Sequence, residues 1–334
     1  MQSFEYASPA TVDQAVRLLA AEPGKSAVLA GGSDLLALMK DGVERPGLLV
    51  NLKAIAALRG LRSGGKEGLR AGALVTIDQL AADPGVRRDY PVLATAAGHV
   101  AGPQIRNVAT VGGNLCQRPR CWYFRSGYGL VPQRDGKSMV VEGDNRYHAI
   151  LGNEGPAYFV HPSTLSPLLI ALGARVAVHG PRGEREIELA QLYRTPRRDG
   201  ERELTLAPGE VVTALLVPPL AGRRAWSYEI RQRTALDWSL ATAAVVLDLQ
   251  ENRVLAARVV LGQVAPVPWP AAAAEDLLRG QAADAIDAAL AERAGEAAVQ
   301  GARALSRNRY KIQLARVAVK RAVLAAAGQM AQSG

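Results

Sequence analysis

A glycine pair set between an apolar strand pattern and a helix start occurs twice in this chain, and it constrains the fold more than any other feature. The first copy is Val28, Leu29, Ala30, Gly31, Gly32, Ser33, Asp34, Leu35, Leu36. Its apolar run reads as a buried strand, the glycines as a tight turn, and Ser33 as the cap of a helix running to Lys40. Glycine tolerates positive φ and removes the side chain that would hold a ligand at a distance. A helix start also presents unpaired N–H groups, so the turn has the form of a cradle for phosphate oxygens. The second copy is Ala109, Thr110, Val111, Gly112, Gly113, Asn114. Two such turns fit a dinucleotide, which has two phosphates to hold; the alternative at each is a plain tight turn. Neither follows G-x-G-x-x-G or the P-loop pattern, so a Rossmann or P-loop reading has no support.

Bulk properties narrow the class. The chain has 334 residues, room for about two or three domains. It is 49% hydrophobic with a mean hydropathy near zero. No apolar run approaches the roughly 18 residues of a membrane span, and no signal-peptide core follows Met1. The expectation is a soluble cytoplasmic protein with no membrane contact. Two cysteines argue against a disulfide scaffold. The net charge is +9, but the basic residues are scattered and aromatics do not interleave with them. Nucleic-acid binding is therefore not expected; the charge fits an ordinary basic surface or docking to an acidic protein partner.

In chain order, Thr11 and Gln14 have capping-box form before a helix whose apolar face is Val12, Val16, Leu18 and Leu19. Strands are expected over 28–30, running into the first glycine pair, and over 48–52, giving a parallel β-α-β unit. The pattern restarts with a strand over 69–75, a short helix opened by Thr76, and an Ala-rich helix over 91–100. The stretch 116–154 carries few helix or strand signals, and Asp144, Asn145 and Arg146 read as turn formers within it. His161, Pro162, Ser163 and Thr164 then cap a helix over 165–172 that stops at Gly173. Strands over 175–179, 184–189 and 211–217 read as an antiparallel sheet. A domain boundary is expected at 218–222. Beyond it, three strands over 226–232, 243–250 and 253–261, with a hairpin turn at 248–253, precede helices over 271–305 and 308–327.

Four stretches taken together resemble the FAD-binding (medium) subunit of the molybdenum hydroxylases, the xanthine dehydrogenase and aldehyde oxidoreductase group. They are the two glycine-pair motifs, the run from His161 through Thr164, Leu165 and Pro167 to Ala174, and Leu261-Gly262-Gln263-Val264-Ala265-Pro266. The resemblance covers nearly the whole chain. It implies an α+β protein: a vanillyl-alcohol-oxidase (PCMH)-type FAD-binding domain over 1–220 with lobes of about 1–60 and 61–220. A C-terminal α+β domain of the CO dehydrogenase flavoprotein type, with a three-stranded antiparallel sheet and helices, follows over 221–334. It implies that Leu29, Ala30, Gly31, Gly32, Ser33, Asp34 and Leu35 wrap the FAD diphosphate, that Thr110, Gly112, Gly113 and Asn114 form the second wall, and that Thr164 and Leu165 lie near the flavin. Catalytic residues and metal ligands are not assigned. The implied partners are a 2Fe–2S subunit and a molybdenum cofactor subunit, with an external electron acceptor.

The chain departs from the family in places. Many relatives have Asp where Thr164 stands and Lys where Glu229 stands, so the contacts that tune the flavin do not carry over. Gln117-Arg118-Pro119-Arg120-Cys121-Trp122-Tyr123-Phe124-Arg125 is similar to the aldehyde oxidoreductase and 4-hydroxybenzoyl-CoA reductase type, some members of which hold a 4Fe–4S cluster in the loop that follows. Such clusters need four ligands; Cys116 and Cys121 are the only cysteines, with His148 the nearest supplement. No cluster is expected here. Three functions compete: an FAD electron-transfer subunit, a self-contained flavin oxidase, and a scaffold without FAD. The chain after residue 220, largely Ala-rich helix, fits a separate substrate domain poorly. His99 and His161 read as structural, Asp237-Trp238-Ser239 as a strand-to-helix cap, and Tyr123 or Tyr128 as packing residues or a screen over the flavin.

Overall fold

A computed structural model describes residues 1–233 and 236–329. Three main sheets organise it, each built from one continuous stretch of chain. The first begins with β1 (Glu5–Ala7), α1 (Val12–Ala21), β2 (Ser26–Leu29), α2 (Leu35–Lys40) and β3 (Leu48–Asn51). β3 lies between β1 and β2 and is parallel to both, which is the expected β-α-β unit. Thr11 caps α1 by accepting from the Gln14 amide at 3.2 Å, and the reciprocal Gln14 bond reaches the amide of Ala10. Ala15, Val16 and Leu19 turn inward. β2 is an edge strand, so Leu29 is buried while Val28 is exposed, against the expectation that the whole run is buried. The helix after the glycines starts at Leu35 with Asp34 at its cap position and no side-chain cap bond. Ser33 therefore does not cap it.

The second sheet has the order β4-β5-β10-β8-β9 and is antiparallel throughout. β4 (Leu61–Arg62) and β5 (Leu69–Gly72) are followed by helices α3 (Ile77–Ala82), α4 (Pro84–Asp89), α5 (Pro91–Gly98), α6 (Pro103–Val108) and α7 (Val111–Leu115). Thr76 and Gln79 close a full capping box on α3. β5 is shorter than predicted and ends at Gly72, where the Ala73 amide still donates to Thr213 of the neighbouring strand at 2.9 Å, at a register shift in that strand. The stretch 116–154 is more ordered than its composition implies: α8 (Trp122–Arg125), a hairpin of β6 (Gln133–Arg134) and β7 (Lys137–Ser138), and α9 (Met139–Glu142) lie within it. Asn145 is no surface turn former. It is fully buried and bonds the 140–143 carbonyls, Ser306 and the Arg307 amide. α10 (Leu165–Ala171) then leads to β8 (Arg175–Gly180), β9 (Gly183–Glu188) and β10 (Val211–Val217). The cap of α10 is Ser163, whose Oγ accepts from the Ser166 amide at 3.1 Å.

The third sheet corrects the expected strand count. β11 (Arg224–Arg231), β12 (Ser239–Gln250) and β13 (Arg253–Gly262) form the predicted antiparallel meander, with Glu251 and Asn252 at positive φ in its hairpin. A fourth strand, β14 (Trp269–Pro270), pairs with β13 through Leu261 and Val260. Proline tolerates this position because an edge strand leaves one side of its backbone without a ladder partner. No helix follows Asp237 and Trp238; Ser239 opens β12 instead. The Ala-rich region divides into α11 (Ala272–Leu278) and α12 (Ala288–Ala298), interrupted by Gly280 at φ 81° and restarted by Asp287, which caps at the Leu290 amide. α13 (Tyr310–Ala327) packs with α12 over the sheet around Ala294, Ala315, Val319 and Ala322. Among the described residues no helix is long and apolar enough to cross a membrane.

Candidate cofactor-binding site

The β2–α2 turn opens onto a cleft of about 570 Å³ between the first two sheets. Ala30, Gly31, Gly32, Ser33, Asp34 and Leu35 line one wall, and Thr110, Gly112 and Gly113 another. The two glycines of the first motif do different work. Gly32 holds φ +75°, the left-handed region. Gly31 allows close approach: a Cβ there would lie 1.9 Å from the Val108 carbonyl oxygen. Because the chain turns this way, the amides of Gly31, Gly32, Ser33 and Asp34 find no acceptor among the described residues. Four neighbouring free N–H groups on the wall of a cleft fit the oxygens of a diphosphate.

The second motif is built differently. Thr110 caps α7 by accepting from the Gly113 amide at 3.1 Å, and the Gly112 amide donates to Ala73 at 2.9 Å. The Asn114 amide donates to Thr110. These amides are thus already bonded within the protein. The glycine at 112 serves packing, since a Cβ there would sit 2.9 Å from that of Ala73. Asn114 is buried behind the wall, where its Oδ1 accepts from Ser163 Oγ at 2.7 Å. Leu29 lies beneath the turn and Leu165 in the core of the second sheet. Leu29, Asn114, Thr164 and Leu165 are not among the cleft-lining residues.

Asp34 holds an arginine cluster that the sequence did not connect to it. Its carboxylate accepts from the Arg118 amide and from the Arg125 guanidinium, both at 2.8 Å, and pairs with Arg120 at 3.2 Å. Arg118 in turn pairs with Glu44 and with the buried Glu203. The segment 117–125 is thereby fastened against the cleft. Its arginine spacing was visible in the sequence; the acid it serves was not.

On the far side of that segment lies a second cavity of about 350 Å³. Cys121 Sγ meets His148 Nε2 there at 3.1 Å. Burial pushes the Cys121 thiol up to about 11, and burial with the nearby Lys311 charge lowers His148 to about 4. Lys311 is fully buried, lowered to about 7 by desolvation, and donates to the carbonyls of Tyr147, His148 and Gln263. Cys116 is raised to about 12 by burial. Among the described residues no group of three or more His, Cys, Asp or Glu is placed to hold a metal. His161 is buried against the Tyr193 ring at 4.3 Å and lowered to about 3 by desolvation, so it stays neutral. Glu229 pairs with Arg231 and accepts from Ser239.

Residues 2–220 match the family described as FAD binding domain in molybdopterin dehydrogenase, and residues 226–326 match the CO dehydrogenase flavoprotein C-terminal domain. The chain is 35% identical over 289 residues to the aldehyde oxidoreductase FAD-binding subunit PaoB of Escherichia coli (strain K12), covering 86% of this chain and 89% of that protein. It is 30% identical to the carbon monoxide dehydrogenase medium chain of Hydrogenophaga pseudoflava, covering 79% and 75%. The fold is similar to a solved structure of carbon monoxide dehydrogenase from Hydrogenophaga pseudoflava that lacks the Mo-pyranopterin moiety of the molybdenum cofactor, with a TM-score of 0.76 and 29% identity over 99% of each chain. The cleft with its free amides and these matches agree, and the chain belongs to the FAD-binding subunits of the molybdenum hydroxylase family, the oxidoreductases of the xanthine and CO dehydrogenase type.

Proposed function

We propose that this chain is the electron-transfer subunit of a cytoplasmic molybdenum hydroxylase complex, taking electrons from a 2Fe–2S partner and passing them to an external acceptor. The observation that carries the reading is the run of free amides at Gly31, Gly32, Ser33 and Asp34 on the cleft wall. In this reading residues 1–220 are a two-lobed PCMH-type domain and 221–334 a separate C-terminal domain. Ala30 to Leu35 hold the FAD diphosphate with backbone N–H groups, and Thr110, Gly112 and Gly113 shape the opposite wall. Leu29 and Asn114 support those two walls from behind, with Asn114 tied to Ser163 just before Thr164 and Leu165. Asp34 keeps its carboxylate on the arginines and away from the phosphates, so the cradle offers amides and no competing charge. FAD held there can accept electrons one at a time and deliver them as a pair.

Relatives named as medium chains of carbon monoxide dehydrogenase and as FAD subunits of xanthine dehydrogenase support the partner assignment. The test is co-expression with the candidate iron–sulfur and molybdenum subunits. The expected result is a stable complex whose flavin absorbance bleaches when an organic substrate of the molybdenum subunit is added anaerobically. A chain that stays alone, or a complex whose flavin remains oxidised while the iron–sulfur signals are reduced, refutes it.

A further inference from the structure

The FAD cleft carries more positive charge than its own acids answer. Asp34, Glu44 and Glu210 are the carboxylates on its lining, and each is engaged. Asp34 holds Arg120 and Arg125, Glu44 holds Arg118, and Glu210 takes both arms of Arg185 at 2.9 Å. The lining residue Arg118 is itself closed off, with Glu44 on one arm and Glu203 on its Nε. Three further arginines line the cleft: Arg45, Arg194 and Arg202. All three are exposed, and none has a carboxylate partner among the described residues.

Their placement brings them to the glycine motifs. Arg194 and Arg202 stand at the base of a hairpin between β9 and β10. Tyr193 and Leu204 pair there, the Arg194 amide donates to the Glu203 carbonyl at 3.0 Å, and Arg194 Nε donates to the Arg202 carbonyl at 2.8 Å. Two bonded links tie this base to the β2–α2 turn: Glu203 binds Arg118, and the Arg118 amide donates to Asp34. The base also reaches the second motif. Burial raises the Cys116 thiol, just past that motif, and the Arg202 guanidinium opposes the rise. Arg45 comes from the side of the first sheet, next to Glu44, and spends only its Nε on the protein, at the Gly42 carbonyl.

Backbone amides carry partial charge, whereas a diphosphate bridge carries two full negative charges. Guanidinium–phosphate bonds are charge-assisted and often bidentate, so they supply what amides lack. Free amides on one wall and unanswered guanidinium groups around the same cleft describe one complement: a cluster of negative oxygens.

We propose that Arg194 and Arg202, from the side of the second sheet, and Arg45, from the side of the first, close on the FAD diphosphate and supply its countercharge. The amides of residues 31–34 orient the phosphates and the arginines neutralise them. This rests on the assignment of the cleft to FAD.

The test measures dissociation constants for FAD by flavin fluorescence, and for ADP and inorganic pyrophosphate by competition against FAD. Arg45→Gln, Arg194→Gln and Arg202→Gln should each weaken all three by about tenfold or more, the loss of a charge-assisted hydrogen bond. Arg197→Gln removes a charge from the same hairpin but away from the cleft lining, and should leave all three constants unchanged. Because the substituted side chains are exposed, the melting temperatures without FAD should match the parent. Variants that bind pyrophosphate as tightly as the parent overturn the proposal. If they lose ADP and keep pyrophosphate, the arginines contact adenine instead, and the proposal fails. An equal loss in Arg197→Gln would reduce the effect to general surface charge and also overturns it. A parent that binds neither FAD nor ADP refutes the cofactor assignment itself, a result distinct from these.

Discussion

Replacing Lys311 by Met should change how stability depends on pH, in a direction and size the structure fixes. Desolvation lowers the ammonium from 10.5 to about 7. In the unfolded chain this lysine keeps its proton until pH ~10.4. Between those values the unfolded state binds more protons than the native state, so stability rises with pH. At about 1.4 kcal/mol per unit, the whole shift amounts to on the order of 5 kcal/mol, of which about 2 kcal/mol appears between pH 7 and 9. Cys116 and Cys121 act oppositely. Burial raises them from 9.0 to about 12 and about 11, so the unfolded chain releases those protons first, offsetting about 1 kcal/mol by pH 9. The parent protein should therefore gain stability over this window, and Lys311→Met should lose it. Removing the ammonium also leaves the carbonyls of Tyr147, His148 and Gln263 without their donor, a cost that does not vary with pH. The assay is urea denaturation of both proteins at saturating FAD at pH 7, 8 and 9. The stability difference, parent minus variant, should grow by about 2 kcal/mol across the series. Parallel pH profiles would show that Lys311 is not held near neutrality by burial, and the reasoning fails.

Three further substitutions separate the parts of the site. Gly31→Ala places a methyl 1.9 Å from the Val108 carbonyl oxygen, and FAD affinity should fall by about 10–100-fold as the backbone moves, about 1–3 kcal/mol; flavin fluorescence titration reads it, and unchanged affinity contradicts the cradle. Gly113→Ala meets only Thr110 Oγ1 at 3.0 Å, so its effect in the same titration should be the smaller of the two. Asp34→Asn keeps an acceptor for the Arg118 amide but breaks the ion pairs with Arg120 and Arg125, and should lower stability by about 2–4 kcal/mol; an unchanged melting temperature would show that segment 117–125 is fastened by other contacts.

Local chemistry was legible from the sequence wherever it is carried by neighbouring residues. The strand, glycine turn and helix at 28–40, the Thr11 and Thr76 caps, the 248–253 hairpin and the antiparallel strands of the second and third sheets all rest on spacing within a few residues. The family was legible for the same reason. What escaped depends on contacts between distant segments. Asp34 reads as part of a phosphate-binding turn, yet its partner amide lies 84 residues on. Gly31 and Gly32 look equivalent, and only the approach of Val108 tells them apart. Asn145 has turn-former chemistry but is buried by Ser306 and Arg307 from the far end of the chain. β14 is too short to leave a pattern, and the second motif's amides are taken by Ala73 and Thr110, which no spacing rule announces. The second cavity draws Cys121, His148, Trp238 and Lys311 from four separate segments, so no single stretch carries its signature.

The central claim is that the β2–α2 turn holds FAD. The most direct measurement is the flavin stoichiometry of the purified chain after gel filtration in the presence of added FAD, read from its visible spectrum against protein concentration. The account predicts one FAD per chain, released on denaturation, with occupancy lost in Gly31→Ala. A folded chain that emerges colourless, or one that keeps full occupancy in Gly31→Ala, contradicts it.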